Sequence, residues 1–369
     1  MKTLIKILLV SVVILLILGS ILVFSASSYY SDFNYNDNYL LFKSHISKII
    51  FAIFAFILAA ITPYELYKKS SKIILLISIV TLLLTPIIGI EINGAKRWIS
   101  LGIFSFQPAE FAKLVLIIHI SYLIIKKGEA IRELKGGLSY PLIWISVVSF
   151  LVIIQPNVST SVIIVLVSFM LLYVGGARPK HLALTLGGVG SLAASIMLLF
   201  PHSRSRIFTY IDSLLNGGDI NVQVMQAKIA LGSGGWIGKG LGHSRQSDLF
   251  LPEAYGDFIF SILGEETGFI GALSVLLIYF ILFFIGVIIA KRCNDSFAQL
   301  LIFGFSFNII FSAFINISVV MGILPTTGIT LPFISFGGTS IIIFALSIGI
   351  ITNIALRTIK KQSLAPIAV

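Results

Sequence analysis

Long, nearly uncharged apolar runs recur along the chain, and no soluble core could absorb them all. A helix needs about 17 to 25 residues to cross a hydrocarbon layer of about 30 Å. Ten runs reach that length: residues 7–24, 46–62, 73–90, 109–125, 139–155, 159–175, 182–200, 268–290, 298–320 and 338–356. Charged residues are 11% of the 369 and hydrophobic ones 57%, where soluble chains carry about 25% charge. A soluble enzyme is excluded. The expected fold class is an all-α polytopic membrane protein of about ten transmembrane helices, residues 1–369 forming one membrane domain. The first run follows Lys2 and Lys6 and is longer than the apolar region of a signal peptide, so it is read as the first span. A lone Cys293 excludes a disulfide framework and a cysteine metal site.

An even number of spans puts both termini on one side, and basic residues favour the cytoplasm. The terminal side collects sixteen Lys and Arg against four Asp and Glu, a net +12; the other side carries ten against eleven, a net −1. Both termini are therefore expected in the cytoplasm. This bias accounts for the net charge of +11 without a nucleic-acid partner. The one long connection, residues 201–267 between spans 7 and 8, is expected to face outward, and loops of that length are usually functional. Within it, Val222, Met225, Ile229 and Ala230 suit a short interfacial helix.

Several polar groups need an explanation. Glu110 and Lys113 lie three residues apart in the fourth span, able to pair. Such ionisable groups at membrane depth either serve function or lock helix packing. His119 in the same span reads as an interhelical hydrogen bonder, and Lys48 as a snorkelling side chain. Leu251 to Phe260 reads as a helix start with Pro252 in the first turn. That would set Glu253 and Asp257 on one face, where one carboxylate could be poised to accept a proton or both could complement the helix dipole. Lys96, Arg97, Arg204, Arg206, Lys239 and Arg245 retain positive charge on the outward side. They suit an anionic ligand or lipid headgroups. The irregular, apolar segment from Leu324 to Ser340, with hydroxyls including Ser335 and Thr339, either lines a cavity or plugs the bundle.

Taken together, these motifs resemble one family. Lys96-Arg97-Trp98-Ile99, Phe104 to Lys113, Gln155-Pro156-Asn157, Leu251 to Phe260 with Gly264-Glu265-Glu266, and Pro325 to Ser340 are similar to blocks of the SEDS polymerases, the FtsW/RodA/SpoVE peptidoglycan glycosyltransferases. The segments Leu241 to Ser244 and Leu251 to Ala254 are closer to the FtsW division branch. The resemblance implies a ten-span fold in the bacterial cytoplasmic membrane and polymerisation of lipid II on its outer face. It also implies a catalytic Asp257 with Glu253 beside it, and functional Arg97, Glu110 and Lys113. Combined with the basic residues, it implies that Arg97, Lys113, Arg206 and Arg245 hold the donor pyrophosphate, with Lys239, Ser335 and Thr339 at the substrate site. Asn157 departs from the aspartate common in that motif. No cofactor is firmly implied; a divalent cation is left open because no ligand set is visible. A class B penicillin-binding protein is the implied partner, within a division or elongation complex, since the chain offers no penicillin-binding serine motif of its own. The rival reading is a flippase or transporter of lipid-linked precursors using Glu110 and Lys113 as a relay; a non-catalytic membrane scaffold is a third.

Overall fold

The computed structural model describes residues 1–92, 94–102, 105–199, 204, 208–212, 215, 221–248 and 250–364. Its helices are α1 (Lys2–Tyr35), α2 (Leu40–Ile61), α3 (Tyr64–Ile88), α4 (Pro108–Lys127), α5 (Ser139–Ile154), α6 (Val158–Val174), α7 (Pro179–Leu199), α8 (Val222–Ser233), α9 (Ile259–Lys291), α10 (Ser296–Val320) and α11 (Gly338–Leu364). Each of the ten expected spans coincides with a helix, and the short helix expected inside the long connection is α8. Among the described residues eight helices are long and apolar enough to cross a membrane, and α6 is a shorter apolar helix. The chain is a multi-pass helical membrane protein. One addition was not legible in the apolar pattern: a small antiparallel sheet between α3 and α4. It comprises β1 (Ile90–Ile92), β2 (Ala95–Ser100) and β3 (Ser105–Phe106), with β2 in the middle.

Polar residues sort the helices into layers. Glu110, Lys113, His119 and Ser121 on α4, Ser306, Asn308, Ser312 and Asn316 on α10, and Thr339, Ser347, Thr352 and Asn353 on α11 are all buried. These three helices are covered on most of their surface, whereas α2, α3 and α9 expose Ile, Leu and Phe. In lipid the cost of an unpaired polar group turns such side chains toward the bundle interior. Small residues then let helices approach. Ala52, Ala55 and Ala59 of α2 are buried where α2 meets α11, and a Cβ on Gly349 would stand 2.5 Å from the Phe56 carbonyl.

The helix α9 is broken near its start. Gly268 sits at φ 68°, ψ −169°, so the carbonyls of Glu265 and Glu266 lose the amides of Phe269 and Ile270, their partners in a continuous helix. The loop after α8 replaces all four groups. Lys239 N and Gly240 N donate to Glu265 O and Glu266 O at 3.0 Å each, while Phe269 N and Ile270 N donate to Gly235 O at 2.9 Å and Trp236 O at 3.2 Å. The fit admits no side chain on the facing glycines. A Cβ on Gly238 would strike the Glu266 carbonyl, and one on Gly268 would strike the Gly238 amide. The four backbone groups freed by the break are thus bonded to protein, as irregular backbone within a spanning helix requires.

Candidate functional site

Two loops meet at one end of the bundle, residues 251–258 before α9 and residues 325–337 before α11. Asn316, near the end of α10, joins them: its Nδ2 donates to Asp257 O and to Ile329 O, both at 2.7 Å. Phe336 N donates to Tyr255 O at 2.9 Å, and the two rings pack edge to face at 5.6 Å. The helix start expected at Pro252 is therefore absent. The segment is a series of turns and α9 begins at Ile259, because the carbonyls of Tyr255 and Asp257 are engaged by tertiary donors. Glu253 and Asp257 consequently do not share a helix face. Glu253 adopts a left-handed φ of 58°. It is open to solvent at its surface, yet the surrounding protein pushes its carboxyl above the ordinary carboxylate range by desolvation. The open surface is the better guide to its proton exchange with water.

Asp257 is half-buried. Its Oδ2 faces Gly328, where an added Cβ would stand 3.4 Å away, and Gly328 holds φ 76°. The hydroxyls of Ser335 and Thr339 are engaged in building the second loop. Ser335 Oγ accepts from Leu331 N at 2.7 Å. Thr339 Oγ1 accepts from Gln107 N at 2.7 Å and donates to Ser105 O at 3.0 Å, tying the start of α11 to that of α4. Tyr279 donates to Pro332 O at 2.5 Å.

The charged residues divide by environment. Lys113 Nζ lies 2.9 Å from both carboxylate oxygens of Glu110, the two residues 2% and 8% exposed. This pair, legible from its spacing, is a closed ion pair. Arg97 donates from Nε to Gln155 O at 3.3 Å and from Nη2 to Pro156 O at 2.5 Å. It binds the Lys-Arg-Trp motif to the Gln-Pro-Asn break between α5 and α6, where Asn157 is buried. Lys239 pairs with Glu265 Oε1 at 2.6 Å. That carboxylate also accepts from Ser244 Oγ at 2.5 Å and from the amides of Arg245 and Gln246 at 3.4 and 3.3 Å. Lys239 thus fixes the loop against α9, while the Arg245 side chain is exposed. Arg206 lies outside the described residues. Among those described, no three His, Cys, Asp or Glu side chains gather as a metal set.

Three contributors were missed in the sequence. Asn316 and Glu265 act through contacts between segments distant in the chain. Lys48, expected to snorkel, turns inward. Its Nζ lies 3.3 Å from the centroid of the Phe336 ring, and its Cε lies 3.6 Å from the point a Cβ on Gly338 would occupy, at the first turn of α11. An ammonium and the positive end of a helix dipole therefore share one place, which favours an anion there. The signal available in the sequence was His45, a second polar residue three positions earlier in an apolar run.

Comparison with known proteins agrees with this architecture. The chain is 35% identical over 345 residues to the probable peptidoglycan glycosyltransferase FtsW of Francisella salina, covering 92% of this chain and 86% of the relative. It is 34% identical over 346 residues to stage V sporulation protein E of Bacillus subtilis strain 168, covering 93% and 94%. A chain of a peptidoglycan synthase complex that coordinates polymerization and crosslinking superposes with a TM-score of 0.77 at 23% identity, covering 95% of this chain and 97% of that one. Residues 6–360 match the family model for FtsW, RodA and SpoVE, described as cell cycle protein, and the chain belongs to that family.

Proposed function

We propose that this protein is an inverting peptidoglycan glycosyltransferase that polymerises lipid II on the outer face of the bacterial cytoplasmic membrane during septal wall synthesis. The name of its Francisella salina relative supports the reaction, and the +12 to −1 charge split supports cytoplasmic termini. The observation that carries the reading is the seating of Asp257 against the loop that also carries Phe336 and leads into α11, with the Lys48 ammonium beside it. A carboxylate on one loop, and an ammonium and a helix N-terminus that favour an anion at the other, are what a glycosyl transfer from a pyrophosphate requires.

In this mechanism the acceptor's sugar hydroxyl attacks the donor's anomeric carbon. The bond from that carbon to the pyrophosphate oxygen breaks as the new glycosidic bond forms, and Asp257 takes the hydroxyl proton. The lipid pyrophosphate leaves with the bonding electrons. Lys48 and the first turn of α11 stabilise its growing charge, joined by Arg245 from the exposed loop. Lys113 and Arg97 act on the framework, each holding protein groups that shape the site. A class B penicillin-binding protein would crosslink the product.

Purified protein given fluorescent lipid II in detergent tests the reading. Polymer should form without a membrane gradient, and Asp257→Asn should cut the yield about 100-fold or more while retaining lipid II binding. Lipid movement across liposomes without polymer would favour the transporter instead. Near-normal polymer from folded Asp257→Asn would remove the proposed base.

A further inference from the structure

The loop that completes the break in α9 ends in a bare apolar surface. Trp236 and Ile237 are 72% and 81% exposed, and Phe269 and Ile270, just past the break, 55% and 56%. The four cannot turn inward independently. The hydrogen bonds from Phe269 N and Ile270 N to Gly235 O and Trp236 O pin the two backbones together, and the Trp236 and Phe269 rings pack edge to face at 5.3 Å. The surface is also continuous with the exposed apolar side of the span. Below Phe269 and Ile270, α9 exposes Leu273, Leu277, Ile281, Phe284 and Ile288, spaced as one helical stripe. On the other side of the loop, α8 buries Val224, Ala227 and Ala230 against the protein yet still exposes Val222, Met225 and Ile229. The last three are related as i, i+3 and i+7, a second apolar stripe on a helix whose inner face is already satisfied.

We infer that Trp236, Ile237, Phe269 and Ile270 form a lipid-interface anchor, seated where headgroups meet acyl chains, with bilayer phospholipid as the occupant. Continuity with the exposed stripe of α9 favours lipid over a soluble protein partner. A tryptophan with an apolar body and one N–H donor suits that depth. The anchor has a mechanical consequence. The same loop continues into Lys239 and Ser244, which Glu265 clamps to the first arm of α9, so lipid contact at the tip sets the height of residues 251–258 above the bilayer. This inference rests on the membrane fold and does not depend on the enzymatic reading.

The test uses the full chain in phosphatidylglycerol and phosphatidylethanolamine vesicles without any partner protein. With Trp98→Phe and Trp144→Phe, Trp236 is the remaining tryptophan. Lipids brominated near the top of the acyl chain should quench most of its emission, and aqueous iodide little. As a second measurement that keeps all tryptophans, a nitroxide at Ile237→Cys in a Cys293→Ser background should collide more with oxygen than with a water-soluble nickel chelate. Strong iodide quenching with weak bromine quenching, or a nitroxide favouring the nickel chelate, would place the patch in water and overturn the anchor.

Discussion

Asn316→Ala removes a side chain that bonds both loops of the candidate site. Its amide supplies hydrogen bonds of 2.7 Å to Asp257 O and Ile329 O, and truncation leaves both carbonyls without that donor. Each unsatisfied buried carbonyl costs about 1 to 3 kcal/mol. Asp257 is half-buried and takes the low end of that range, whereas Ile329 is buried, so the expected loss is about 2 to 4 kcal/mol. SDS-induced unfolding in mixed micelles would measure it. Activity reports the position of Asp257 separately: a shift of about 1 Å in a reacting group costs about 100-fold. Turnover should therefore fall steeply in protein that remains folded while lipid II affinity is kept. Asn316→Asp should be at least as damaging, because an ionised carboxylate cannot donate to either carbonyl. The decisive comparison is the double variant Asp257→Asn, Asn316→Ala, which should polymerise no worse than Asp257→Asn alone. A folded Asn316→Ala with unchanged turnover, or losses that multiply in the double variant, would refute the idea that Asn316 acts through Asp257.

Further expectations concern other contacts. Glu110→Gln leaves the buried Lys113 ammonium uncompensated and should cost about 3 to 5 kcal/mol, whereas Glu110→Leu with Lys113→Met should restore most of it; additive losses in the same unfolding assay would contradict a closed pair. Gly328→Ala forces a side chain into φ 76° with its Cβ 3.4 Å from Asp257 Oδ2, so polymer yield should drop while expression holds. Glu253 is exposed, so desolvation of its carboxyl should be largely relieved by water: the difference in thermal stability between wild type and Glu253→Gln should change little as pH rises from below to above the ordinary value of 4.5, and a wild-type advantage below that value that is lost above it would show the carboxyl to be desolvated after all. Topology needs introduced probes, since Cys293 is buried and its Sγ lies 3.3 Å from the Ile289 carbonyl. In a Cys293→Ser background, cysteine at exposed His243 should react with an impermeant reagent on intact cells and cysteine at exposed Ser363 should not.

What the sequence determined by itself was the membrane class, the positions of the ten helices and the pairing of Glu110 with Lys113. Each follows from a local quantity: the length of an apolar run against the thickness of a bilayer, or two charges three residues apart on one helix. The motifs likewise marked both loops of the site. What each residue does there was decided by tertiary contacts. Arg97 reads as an anion ligand, and only the structure shows the carbonyls of Gln155 and Pro156 at its guanidinium. Lys239 reads the same way, and only the structure shows Glu265 2.6 Å away, 26 residues later. Ser335 and Thr339 read as ligand hydroxyls because no local pattern reveals the backbone groups they bond. Conversely, Lys48 and Asn316 sit in ordinary apolar helices, and only the packing of α2 and α10 against the loop before α11 brings them to the site. A helix start at Pro252 was likewise a sound local expectation, displaced because Phe336 and Asn316 take the carbonyls of Tyr255 and Asp257. Local sequence sets which groups must avoid lipid; only the assembled bundle sets which partner relieves each of them, and so which charges remain for chemistry.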